Sequence, residues 1–70
     1  GDEWVRLADL RQKLADVSKR DFHSALKELF REPDVRLEPE PNSHRIKAPD
    51  RDAAVTIGGE DRHKMAIEMP

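Results

Sequence analysis

The chain has 70 residues, 40% of them charged and 36% hydrophobic, with a formal net charge of −2, a single Trp and no Cys. That length allows one small domain, and the lack of Cys excludes a disulfide frame, a Cys-type zinc site and thiol chemistry. No run approaches the ~18 apolar residues of a membrane span, and no signal-peptide pattern is present.

The apolar residues are periodic rather than scattered, so a folded chain is expected. Without disulfides or metal, a domain of this size holds about 3–5 kcal/mol. The chain begins with Gly1 and is expected to be part of a longer, cytoplasmic protein.

Asp2 and Glu3 read as a solvated lead-in, followed by Trp4, Val5 and Leu7 as a brief strand running into a helix. Residues 8–16 read as that helix, because Leu7, Leu10, Leu14 and Val17 recur at helical spacing with no Gly or Pro between them. Arg11 and Lys13 point away from this stripe. Only Val17 and Ser18 separate the first helix from a second, so the two form an angled pair on a tight connection.

The second helix, VSKRDFHSALKELFRE over residues 17–32, is the best specified element. Ser18 is its N-cap, Asp21 takes the place of the capping-box acid, and Val17 and Phe22 stand at the positions of a hydrophobic staple. Phe22, Ala25, Leu26, Leu29 and Phe30 trace one buried stripe. Arg20, His23, Ser24, Lys27 and Arg31 trace another. Pro33 stops the pattern by pushing Glu32 out of the α region. Lys19, Arg20, Lys27 and Arg31 outweigh Asp21 and Glu28 here, so a local basic face sits on a mildly acidic body.

Glu32-Pro33-Asp34 reads as a turn, and residues 35–38 alternate as a half-buried strand ended by Pro39 and Pro41. Residues 38–50, rich in Pro, Asn and Ser, read as an irregular, mobile connection. A single helical turn is expected over 50–54, capped by Asp50. Val55, Thr56 and Ile57 then lead into Gly58-Gly59, a turn that needs positive φ. Residues 64–69 alternate again, with Met65, Ile67 and Met69 on one face and Lys64, Ala66 and Glu68 on the other. This last strand is expected to pair antiparallel with 35–38, and residues 4–7 to add a third strand.

The order strand, helix, tight turn, helix, strand, long loop, strand resembles the winged helix-turn-helix family. The matching residues are VRLADLRQKLADVSKRDFHSALKELFRE, then VRLEPE and HKMAIEM as the wing strands. The resemblance implies a small α+β domain, two main helices packed on a two- to three-stranded antiparallel sheet, with residues 39–59 as a long wing loop. Two departures stand out: no further helix precedes the pair, and the wing carries an insertion around 50–59. The IGGEDRH run looks like that of a bacterial subgroup of such domains.

In DNA-binding members the second helix enters the major groove. Carried onto this chain, the DNA-binding candidates are Lys19, Arg20, His23, Ser24 and Lys27, with Arg45 and Lys47 of the wing reaching backbone phosphates. His44 and Arg51 share that spacing. Arg20 suits guanine, Ser24 a base or phosphate, and Lys19 and Lys27 phosphates. The competing reading is a solvated helix face, and for the wing cations Glu38, Glu40, Asp50 and Asp52 would repel phosphate. The implied partner is double-stranded DNA, held weakly by the isolated domain and more weakly as salt rises. Tight binding would need a homodimer or a neighbouring domain. The alternative partner is another protein domain docking on the same fold.

No catalytic residue, metal site or cofactor is expected. His23, His44 and His63 lack companions at ligand spacing, and Ser18 and Ser43 lack a base and an oxyanion donor. Gly58-Gly59 has no following Lys-Ser/Thr to cradle a phosphate. Trp4 reads as a lid on the core before a stacking platform.

Overall fold

The structure, a computed structural model, describes residues 3–68. It is an α+β domain in the order β1 (Val5–Arg6), α1 (Leu7–Lys13), α2 (Lys19–Leu29), β2 (Val35–Glu38), a 3₁₀ turn (Ser43–Arg45), α3 (Ala48–Ala53), β3 (Val55–Ile57), β4 (Glu60–Arg62) and β5 (Lys64–Ile67). Asp2 of the predicted lead-in and Met69 of the predicted last strand lie outside the described residues.

α2 starts as its sequence dictates. Ser18 is extended, and its Oγ accepts from the Asp21 amide at 3.1 Å. Phe22 and Leu26 are buried, and Val17, the staple residue, packs on the same cluster. The helix ends at Leu29, three residues before the sequence limit. Pro33 has no amide to extend the ladder, so Arg31 and Glu32 bond back three residues, to Glu28 and Leu29.

α1 stops at Lys13 rather than running to 16. There the Arg11 guanidinium turns back and donates to the carbonyls of Leu14 and Val17, at 3.0 and 2.7 Å. The Val17 carbonyl gains a partner there, and the Leu14 carbonyl, which already accepts from the Val17 amide at 2.9 Å, gains a second donor.

The main sheet has the order β1-β5-β2, antiparallel throughout, with Val5 and Leu37 both opposite Met65 and Arg36 opposite Ala66. The expected pairing of 35–38 with the last strand is therefore present, and so is the third strand. Val35, Leu37 and Met65 face the core. The last strand departs from strict alternation at its end. Ile67 is 50% exposed, because it lies past the Val5–Met65 pair where β1 no longer flanks it. Ala66 is buried on the opposite face, where the short methyl sits among the longer Arg36, Lys64 and Glu68 side chains.

The segment expected to be a loose wing is ordered by its own short-range chemistry. α3 begins at Ala48 with Lys47 as N-cap, so Asp50 is the third helical residue and not the cap. Pro49 fits the first turn, where no amide bond is lost, and the Asp50 carboxylate reaches back to the Lys47 amide at 2.9 Å. Gly58 and Gly59 have φ of 66° and 76°, which both residues of a tight two-residue hairpin require, and they join β3 to β4. The described residues thus form three helices and a separate two-stranded hairpin, where two main helices and a long loop with a single helical turn over 50–54 were expected. α3 packs against α1, and Ala53 and Val55 enter the core.

Arg62 ties the hairpin down. Its guanidinium donates to the Leu37 carbonyl at 2.7 Å and lies 4.8 Å from the centre of the Phe30 ring. Its buried Nε has no hydrogen-bond partner, a cost that the ring contact offsets in part.

Candidate nucleic-acid interface

The insertion decides which cations of α2 face solvent. The buried stripe is centred on Phe22 and Leu26 and leans toward Lys19 and His23, because α3 and β3 pack on that side. Ala25 and Leu29, expected in the core, lie on the opposite flank and are exposed, Leu29 to 41%. The spacing was compatible with either flank, and the third helix selects one.

On the covered flank, His23 is half-buried and its Nε2 lies 3.1 Å from the Ala53 carbonyl oxygen. A carbonyl can only accept, so Nε2 carries the proton and the ring is engaged inside the protein. Lys19 sits beside it, its Nζ 3.1 Å from Asp52 Oδ1 at the surface. Both were candidates for DNA contact, and the fold gives both a partner on α3.

On the open flank, Arg20, Ser24 and Lys27 are all exposed. They are spaced four and three residues apart, so they form one row along the helix. Among the described residues, neither Arg20 nor Lys27 has a carboxylate partner. Arg31 continues the row but pairs with Glu28 at 3.2 Å. Arg20, Ser24 and Lys27 are thus brought together, and Lys19 and His23 are separated from them.

The candidates at the wing sit on neither strand of the hairpin. Arg45 ends the 3₁₀ turn and Lys47 caps α3. The hairpin itself presents Glu60 and Asp61 after its glycine tip, and Asp61 accepts from the Thr56 hydroxyl at 2.6 Å. Asp50, expected to repel phosphate near the wing cations, is instead 4% exposed and held by a two-pronged hydrogen bond from Arg6. That bond, then the Lys47 amide and the Arg6 charge, keep its carboxyl below the usual carboxylate range.

One cluster escaped the sequence reading. Trp4, Arg36 and Lys64 meet on the solvent face of the sheet, with the two cations 5.3 and 4.8 Å from the centre of the indole. The β2–β5 register, had it been known, would have placed Arg36 and Lys64 on the face opposite Met65. Among the described residues no group of three His, Asp or Glu is placed to hold a metal ion, and no helix is long and apolar enough to cross a membrane. Comparison with protein-family models, with curated proteins and with solved structures finds no match.

Proposed function

We propose that this domain binds double-stranded DNA as a winged helix-turn-helix module, with α2 as the helix that enters the major groove. The observation that carries this reading is the row of Arg20, Ser24 and Lys27 on the open face of α2, with no acid paired to either cation among the described residues. The chain path supports it as well. α1, a short connection and α2 lead into β2, and Arg20, Ser24 and Lys27 on the outer face of α2 are exposed. Arg20 then reaches a guanine edge or a phosphate, Lys27 a phosphate, and Ser24 either. Arg45 and Lys47 are exposed cations of the insertion, as is Arg51, while Glu60 and Asp61 keep the hairpin tip away from the backbone.

Two unpaired cations give a weak, salt-sensitive complex. Titration of the ¹⁵N-labelled domain with a short duplex, at low and at physiological salt, tests this. Shifts concentrated in residues 18–27 that fade with salt are expected, and a spectrum unchanged at low salt would overturn the reading. A protein partner is the second reading. It is favoured by Val5, Leu14, Leu29 and Ile67, which are 38% to 50% exposed.

A further inference from the structure

A cleft of about 340 Å³ opens between the start of β1, the start of β5 and the turn that leads into α3. Trp4, Arg6, His63 and Lys64 line it from the sheet side, Arg45 and Asp50 from the insertion, and Glu40 closes one end. No residue of α2 takes part.

The charges in this cleft do not cancel. Asp50 is already taken by Arg6 and by the Lys47 amide. Glu40 keeps its negative charge, its Oε1 accepting from the neutral Asn42 amide at 3.2 Å, so Arg6, Arg45 and Lys64 against Asp50 and Glu40 leave one net positive charge. Among the described residues, Arg45 and Lys64 have no carboxylate partner at all. Lys64 Nζ rests 4.8 Å from the centre of the Trp4 indole, a contact that leaves its donors available. His63 adds a directed donor. Its Nδ1 accepts the Glu40 amide at 3.1 Å, so the ring proton is on Nε2. The ring is held in place because the His63 backbone bonds both ways, to the Glu38 carbonyl and from the Leu7 amide.

We infer that this cleft is a site for a nucleotide phosphate monoester, with the phosphate between Arg45, Lys64 and the His63 Nε2–H and the sugar or base along Trp4. A monoester carries nearly two charges and three acceptor oxygens, which two unpaired cations and one neutral N–H match. The volume suits a phosphate with one planar ring. Trp4, 37% exposed, supplies the apolar wall. The phosphate comes either from a free mononucleotide or from the 5′ end of a nucleic-acid strand. The site shares no residue with the α2 row, so each stands or falls alone.

Trp4 is the sole tryptophan and reports directly on the cleft. Its fluorescence is to be followed while 5′-AMP, adenosine, and a tetranucleotide with and without a 5′-phosphate are added. A saturable change is expected with the phosphorylated probes, at least about tenfold weaker without the phosphate. Arg45→Gln and Lys64→Gln, followed by isothermal titration so that the indole's own surroundings do not matter, should each weaken binding by about tenfold. Arg20→Ala should leave it unchanged. Tighter binding of the phosphorylated tetranucleotide than of AMP identifies a strand end, and the reverse a free nucleotide. Equal responses to AMP and adenosine, no saturation with either phosphorylated probe, or full affinity in both Gln variants would overturn the assignment.

Discussion

Removing the two unpaired cations of α2 separates a DNA-facing helix from a merely solvated one. Lys19 and Arg31 are already matched, by Asp52 at 3.1 Å and Glu28 at 3.2 Å, which leaves Arg20 and Lys27 to meet phosphates. Each cation seated on B-DNA contributes about −0.9 to the slope of log K against log salt, so the pair gives a slope of about −2. Between 50 and 200 mM salt that slope corresponds to roughly a tenfold loss of affinity. In Arg20→Ala/Lys27→Ala the dependence should flatten toward zero and the low-salt affinity fall by a similar factor. The fold should not notice. Both side chains are exposed and without carboxylate partners among the described residues, so stability should stay within about 0.5 kcal/mol of the parent. Fluorescence anisotropy with a labelled duplex of arbitrary sequence, at several salt concentrations, reads the slope, and circular dichroism reads the melting temperature. A folded double variant that keeps both slope and affinity would show that α2 does not face DNA. A lost melting temperature would show that these side chains are not where the structure puts them.

Three further outcomes check the fold beneath the site. Leu26→Ala should cost about 2–5 kcal/mol in guanidinium unfolding and Leu29→Ala less than about 1, since Leu26 is 2% exposed and Leu29 41%; equal costs would mean that the buried flank of α2 is misassigned. A Cβ on Gly59 meets nothing within 4 Å, so Gly59→Ala should cost only the backbone term, about 1–2 kcal/mol, and Gly59→Asn less; equal melting temperatures for the two would argue against the φ of 76°. Asp50 titrates below its ordinary value when folded, so its contribution is complete above the unfolded carboxylate pKa of about 3.9 and is lost as pH falls from there through the native value. Urea midpoints of the parent and Asp50→Asn should therefore converge below about pH 4, and a gap that stays constant down to pH 2.5 would exclude this linkage.

The parts of this fold that were legible in the sequence are those set by near neighbours. Ser18 with Asp21, Val17 with Phe22, the alternation of Val35 and Leu37, and the glycine pair each encode their structure within a few residues. The pairing of the main sheet followed because only two well-alternating strands and one short apolar lead were available, whereas the β3–β4 pairing was missed because Glu60, Asp61 and Arg62 carry no apolar alternation. What was not legible depends on contacts across the chain. Asp50 looked like a solvated acid or a cap because its partner, Arg6, is 44 residues away. Leu29 and Ala25 fit a buried stripe by spacing alone. Only the position of α3, fixed by His23 and Lys19 meeting Ala53 and Asp52, shows that the stripe runs along the other flank. A helical turn was expected over 50–54, and only the start of α3 at Ala48 was hidden, because Pro49 reads as a breaker unless it falls in a first turn.

The same short helix explains how a mildly acidic chain can offer positive sites. Arg6 is neutralised by Asp50, Lys19 by Asp52, and His23 is engaged with the Ala53 carbonyl, so α3 consumes donors from both β1 and α2. The cations without acidic partners among the described residues then include Arg20 and Lys27 on one side and Arg45 and Lys64 on the other, with α3 belonging to neither group. Two small spots of this kind do not add up to a field that steers a polyanion from a distance, given a net charge of −2. Recognition at either spot therefore has to come from short-range geometry: a row spaced along a helix for a groove, and a pinned histidine with two cations for a phosphate. That difference in geometry is why the α2 variants and the cleft variants should fail independently, each losing its own ligand and keeping the other.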